Sequence, residues 1–255
     1  MHRPALMRLI LSVGVLMVVI LALTGYGSGS AQEEAKARPL PENEKGLRPG
    51  IYRSEEFKPS LSFRVGEDWT NAPPEASDHL ALGWGQAWGL GFVAPRELYK
   101  PTKTGTPNLV DAPEDLVGWY QRHPYLRTDE PEPVRVGGVE GVRFDVIVAK
   151  DLPEDHYGVC GLDCVDIARF EQFDLVVRHP PDTHSGVRGS DCANPFCSSS
   201  GSLFSIREEE KLRLTVLEDA EGETVTMGFG GPADKFDLHA ADTQEVLDSV
   251  EWQGA

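Results

Sequence analysis

The sequence predicts an α+β fold: an antiparallel β-sheet with a helix near 112–123 and a C-terminal helix near 234–249 packed on it. Three observations predict it. Short apolar–polar alternations bounded by Gly, Pro and Asp recur from Ile51 to Phe229. Leu116, Trp119, Tyr120 and His123 fall at helical spacing and form one face. Phe236, Ala240, Thr243, Leu247 and Val250 form a second helical stripe at the C-terminal end, fit to lie on a sheet.

The elements follow in chain order. Ile51 to Phe57 and Leu61 to Val65 read as a hairpin across Lys58-Pro59-Ser60, with Leu61, Phe63 and Val65 on one face. Trp69 follows that second strand. Leu80 to Trp84 and Trp88 to Val93 form the next pair, joined by Gly85-Gln86-Ala87. The tryptophans here, Trp69, Trp84 and Trp88, predict a large aromatic share of the core. An exposed Trp84/Trp88 patch for carbohydrate or peptide is the functional reading of the same residues.

Asp111-Ala112-Pro113-Glu114 has the form of a capping box with Pro in the first turn, and Pro124 stops the helix. Val134-Arg135-Val136 and Val142 to Val148 then pair around Gly137-Gly138-Val139-Glu140-Gly141. Neither a helix start nor Lys-Ser/Thr follows those glycines, so they supply positive φ rather than a phosphate cradle. Val165 to Phe170 and Phe173 to His179 read as strands leading into an irregular segment, Pro180 to Ser202. Leu203 to Arg207 resumes the sheet. Leu212 to Leu217 and Glu223 to Phe229 make a hairpin around Asp219-Ala220-Glu221-Gly222, expected as a type I turn closed by a left-handed residue.

Ahead of these elements, Arg3 and Arg8 precede an uncharged run from Leu9 to Thr24, and small residues fill Gly25 to Ala31. A basic start, an apolar middle and small residues are the layout of a signal peptide, with cleavage expected before Gln32. A helix over Leu9–Thr24 reaches about 24 Å, short of a bilayer core, but the run is slightly longer than the usual apolar middle of a signal peptide, so an uncleaved N-terminal membrane anchor is the alternative for 1–31. Tyr26 follows Leu23-Thr24-Gly25, where a lipoprotein needs cysteine. Residues 32–49 carry charge and three prolines and read as a flexible linker. Residues 50–255 then form a single α+β domain with a Cys-containing loop insertion at about 151–202. Localisation is extracytoplasmic, secreted or at the cell surface.

The chain's formal net charge is −17, and losing Arg3 and Arg8 with the leader makes it −19. A field of that sign opposes nucleic acid and anionic lipid, so nucleic acid is excluded as a partner. The membrane is reached only through the N-terminal segment, if that segment is not cleaved.

Trp69, Trp119 to Pro124, Gly137 to Gly141, Gly222 to Val225 and Leu247 to Trp252 carry a resemblance. Their order looks like a group of uncharacterised exported bacterial proteins. It also resembles, more loosely, the PsbP-like α/β/α sandwich of photosystem accessory proteins and bacterial surface lipoproteins. The resemblance spans most of residues 50–253 and implies a binding or scaffold role rather than a defined active site. The chain departs from the lipoproteins in lacking their lipid-bearing cysteine.

Cys160, Cys164, Cys192 and Cys197 are the chain's cysteines. An even count in an exported chain reads as two disulfides, and three connectivities are open. Local pairing, Cys160–Cys164 and Cys192–Cys197, is favoured because each pair brackets turn residues. A four-cysteine zinc site is the rival, opposed by export to an oxidising compartment. His156, beside Glu154 and Asp155, and His179 and His184, flanking Pro180 to Thr183, are the candidate metal or ligand histidines. They lack the HExxH spacing of a metallohydrolase. Asp151, Glu154, Asp155, Asp163 and Asp166 form an acidic cluster without the EF-hand pattern. Gly-x-Ser-x-Gly is absent. No catalytic residue and no cofactor is assigned. The function read from the sequence is an extracytoplasmic, non-enzymatic binding or accessory module of unknown ligand and partner. The alternative is a secreted hydrolase with its site in the 151–202 insertion.

Overall fold

Apolar residues alternate with polar ones along most strands, but Trp88 to Val93 are all buried. A strand buried on both faces needs a layer on each side of its sheet, and that is the architecture of the computed structural model. It describes residues 36–41, 45–72, 75–85, 88–101, 108–150, 152–153, 157–158, 161–162, 164–169 and 203–253. In chain order the elements are β1 (Arg38–Pro39), β2 (Lys45–Gly46), β3 (Gly50–Arg53), β4 (Leu61–Val65), β5 (Trp69–Ala72), β6 (His79–Trp84), β7 (Trp88–Val93), β8 (Glu97–Tyr99) and β9 (Leu109–Asp111). Next come α1 (Leu116–Arg122), β10 (Leu126–Thr128), β11 (Glu132–Val136), β12 (Val139–Val148), β13 (Tyr157–Gly158), β14 (Gly161–Leu162), β15 (Cys164–Arg169) and β16 (Leu203–Arg207). The chain closes with β17 (Glu210–Ala220), β18 (Glu223–Pro232), α2 (Phe236–Asp248) and β19 (Glu251–Trp252). The class is α+β, as expected.

The predicted single sheet is several among the described residues. The largest runs β10-β12-β17-β18-β7-β6-β5-β2, with β11 also on β12. Four-stranded sheets β1-β3-β4-β19 and β16-β15-β8-β9 lie apart from it, and β13 pairs β14. Every described pairing is antiparallel except β1 with β3.

Both faces of the large sheet carry a core. On one, Leu82, Leu90, Phe92, Met227 and Phe229 cluster with Phe63 of β4 and with Phe236, Val246 and Leu247 of α2. On the other, Ala81, Val93, Phe144, Leu212 and Leu214 cluster with Leu116 and Tyr120 of α1 and with Ile167 and Ile206. The helices therefore serve opposite faces of the large sheet. Period-two alternation explains it: Leu212, Leu214 and Val216 point one way along β17 and Leu217 the other.

Local boundaries moved for identifiable reasons. The first helix starts at Leu116, not near 112, because Leu109–Asp111 pairs with β8 and Ala112 N donates to Arg96 O. Asp115 becomes the N-cap, its Oδ1 accepting from Gly118 N at 2.8 Å. The 32–49 segment, expected as linker, joins the fold from Arg38. The Arg38 guanidinium donates to Arg48 O and Pro49 O at 2.9 Å each, and Leu47 is a core residue. β3 stops at Arg53 because Glu75 holds the following loop, accepting from the Ser54 hydroxyl and from Glu56 N and Phe57 N.

The β17–β18 connection is a two-residue turn with positive φ at Glu221 and Gly222, tighter than the predicted four-residue loop, with a bulge between Leu217 and Ala220. Gly137 and Gly138 likewise form a two-residue turn of positive φ, so β12 starts at Val139. The C-terminal Trp252 donates its indole N–H to Val136 O at 3.1 Å beside that turn. The predicted strand Phe173–His179 lies outside the described residues.

Candidate functional site

The β6–β7 hairpin places Trp84 directly opposite Trp88, and Trp69 pairs with Trp84 from β5. Indoles at facing positions share one side of the sheet. On that side lies α2, whose His239 sits 4.5 Å from the Trp84 ring centre and 4.6 Å from that of Trp88. One imidazole thus contacts both indoles. Trp88 runs inward, stacked on Phe229 at 5.5 Å with the planes 16° apart, and is only 6 % exposed. This corrects the exposed Trp84/Trp88 patch: Trp88 belongs to the core, and Trp84 and His239, each half-buried, form the edge that reaches solvent.

His239 was missed in the sequence reading. Its signal was its place three residues after Phe236, flanking the buried stripe of α2. The β6–β7 pairing is what turns that flank toward two indoles.

The cluster continues along α2 into charge. Phe236 packs tilted against Phe229, ring centres 5.0 Å apart and planes at 47°, and Lys211 Nζ and the Arg213 guanidinium lie over its ring at 4.7 and 5.3 Å. Both cations face Asp145, cross-strand from Arg213. Arg213 donates from Nε and a terminal nitrogen at 2.7 and 3.0 Å, and Lys211 Nζ is 2.7 Å away. Burial alone would raise the Asp145 pKa, but the hydrogen bonds and charges of Arg213 and Lys211 outweigh it and hold the carboxyl below its ordinary value. With both oxygens engaged, this is a structural clamp between β12 and β17.

Two further histidines are buried. His79 Nδ1 lies 2.9 Å from Asp78 Oδ1 with both side chains nearly closed off. His123, at the end of α1, takes the Tyr125 amide on Nδ1 at 3.2 Å and packs edge-on to Trp119 at 4.9 Å. Glu210 is pushed up by burial against a single backbone bond from Arg207, and Tyr99 is raised first by burial and then by Asp166.

His156, His179 and His184 lie outside the described residues, as do Cys160, Cys192 and Cys197. Cys164 sits on β15, wholly buried, and no described cysteine carries a free thiol. Asp166 lies on the same strand, and the other acids of its cluster are outside the described set. Among the described residues, no three His, Cys, Asp or Glu side chains are grouped so as to hold a metal ion, and no helix is long and apolar enough to cross a membrane.

No family model matches the sequence, and no curated protein matches it. Among solved structures, the chain is similar to the solution structure of cyanobacterial PsbP (CyanoP) from Synechocystis sp. PCC 6803. That likeness has a TM-score of 0.38 and 9 % sequence identity, covering 81 % of this chain and 95 % of the other.

Proposed function

We propose that this chain is an extracytoplasmic, non-enzymatic binding or accessory module whose ligand contact is the Trp84–His239 edge. The observation that carries it is the half-buried Trp84 indole held against His239 while its partner Trp88 is locked in the core. A rigid aromatic face with a polar nitrogen beside it offers stacking area and a hydrogen-bond group together, which suits a sugar ring or a peptide. The leader-like layout of residues 1–31 supports export, and export supports pairing of the cysteines as disulfides.

The test is titration of the exported chain with soluble oligosaccharides and peptides, followed by tryptophan emission and calorimetry beside Trp84→Ala. A ligand that shifts the emission of the wild type and loses about tenfold in affinity to Trp84→Ala supports the reading. Unchanged affinity in Trp84→Ala rejects this edge as the contact. Turnover of the ligand replaces the binding module with a hydrolase. The N-terminus of the same preparation, read by mass spectrometry, is expected at Gln32, and an intact Met1 would establish an anchor instead.

A further inference from the structure

The two flanks of α2 are unequal. Asp237 lies 4.0 Å from Lys211, and Gln244 accepts from Arg143 at 3.5 Å, so both face β12 and β17. The cations on that flank are engaged: Lys211 and Arg213 with Asp145, and Arg143 with Glu132. His239 marks the other flank, against Trp84 and Trp88. Lys235, which opens the helix one turn before His239, and Asp242, three residues after it, share that side by helical spacing. Both are exposed. Among the described residues, neither forms an ion pair or a hydrogen bond, and the His239 ring nitrogens and the Trp84 indole N–H have no hydrogen-bond partner either. Arg64 stands beside the C-cap Ser249, about 15 Å along the helix from His239 at 1.5 Å per residue, too far to share this rim.

The Trp84 face is therefore rimmed by polar groups that the fold itself leaves unused. They are of mixed kind. Lys235 and the indole N–H donate, and the Asp242 carboxylate accepts. A ligand bearing many hydroxyls satisfies both kinds at once, since each hydroxyl donates and accepts. An anionic ligand meets Asp242 and the field of a chain of net charge −17. A cationic one meets the unpaired Lys235 ammonium at the rim. An extended peptide has no place to pair: β6, which carries Trp84, has β5 on one side and β7 on the other, so no strand edge is open beside the indole. The His239 plane stands 56° from that of Trp84, a wall beside a flat platform. A pyranose ring fits that shape, with an apolar face for the indole and hydroxyls around its edge for the rim.

We infer that the Trp84–His239 edge binds a neutral glycan, one pyranose stacked on Trp84 with its hydroxyls taken by Asp242 and Lys235. This rests on the Trp84–His239 reading given above, and it assigns that edge a ligand class and two specificity residues.

The full exported chain is titrated by calorimetry with the neutral sugars cellohexaose, maltohexaose and chitohexaose, with hexagalacturonate as their anionic counterpart, and with a lysine-containing proline-rich peptide. A neutral hexasaccharide is expected to bind, with affinity changing less than about twofold between low and high salt, because no charge is neutralised. Hexagalacturonate and the peptide are expected to bind at least about tenfold more weakly. Asp242→Asn is expected to lose about tenfold in affinity and Lys235→Gln about threefold. Asp248→Asn makes the same charge change at the far end of the helix and is expected to alter affinity less than about twofold. All three positions are exposed, so each variant is expected to keep the wild-type far-ultraviolet spectrum and melting temperature.

A neutral sugar held equally by wild type and Trp84→Ala rejects the edge itself. Trp84-dependent binding of hexagalacturonate or the peptide in preference to the neutral sugars keeps the edge and overturns the glycan assignment. So do equal effects of Asp242→Asn and Asp248→Asn, or no binding of any neutral hexasaccharide at millimolar concentration.

Discussion

Asp145 shows how one side chain ties several elements together. Its carboxylate joins β12 to β17 through Arg213 and Lys211, and those cations roof Phe236 at the start of α2. Asp145→Asn leaves two cations side by side over an aromatic ring with their counter-charge gone. The expected cost is about 2 kcal/mol near neutral pH, measured by urea unfolding. The pH dependence follows from the depressed pKa. A carboxyl held below its ordinary value stabilises the fold fully above that ordinary value, and the contribution is lost as pH falls through the folded one. The gap between wild type and Asp145→Asn should therefore be full at neutral pH and shrink in acid. A gap independent of pH would show that Asp145 acts through packing alone.

At the scale of elements, the β11–β12 turn is the place where the C-terminus is pinned. Gly137 and Gly138 both have positive φ, at 56° and 86°. A Cβ on Gly137 would also lie 2.7 Å from the Trp252 indole and 2.9 Å from Val250 O, whereas one on Gly138 meets open space. The two alanine substitutions therefore separate backbone strain from crowding. Gly138→Ala is expected to cost about 1 kcal/mol, the penalty of a left-handed residue. Gly137→Ala is expected to cost about 3 kcal/mol, because Trp252 must also leave Val136 O. Thermal unfolding with Trp252 emission as the second signal reads both. Equal costs would mean that the β19 end of the chain yields freely. The motif Leu247 to Trp252 thus works as packing.

On the scale of the whole molecule, a chain of net charge −17 is held against its own repulsion by its buried core. Cys164 is buried on β15, next to the core formed by Val165, Ile167 and Ile206. If Cys160 pairs with Cys164 and Cys192 with Cys197, the closed loops are short and each constrains the unfolded chain by about 2 kcal/mol or less. Peptide mapping of the unreduced protein is expected to find those two links. Mild reduction should then open protease sites within 151–202 while the large sheet keeps its far-ultraviolet signal. Global unfolding on reduction would favour the crossed pairings, and four free thiols with bound zinc would replace the disulfides.

Periodicity made the apolar stripes of both helices readable from the amino-acid order. Phe236, Thr243 and Leu247 of α2 and Val250 just past it were legible as a buried stripe, as were Leu116 and Tyr120 of α1 and His123 at its end, while Ala240 and Trp119 of the same stripes are only partly buried. The hairpin of Trp84 with Trp88 and the Gly137–Gly138 turn were legible too, because alternation and turn chemistry act between near neighbours. The tertiary structure alone decided which segments met. Leu109–Asp111 carried helix-start residues, yet a strand partner more than ten residues upstream claimed it and left Asp115 to cap α1. Arg38 to Pro49 looked like solvent-exposed linker until β3 and the carbonyls of Arg48 and Pro49 supplied its hydrogen bonds.

Trp84 and Trp88 were equal in the sequence. Phe229, brought beside Trp88 by the β7–β18 register, buried one of them, and His239 reached both because α2 crosses that face. Local spacing fixes which side of an element is apolar. Long-range pairing chooses what covers that side, because hydrophobic burial is non-directional and is satisfied by whichever layer the topology delivers.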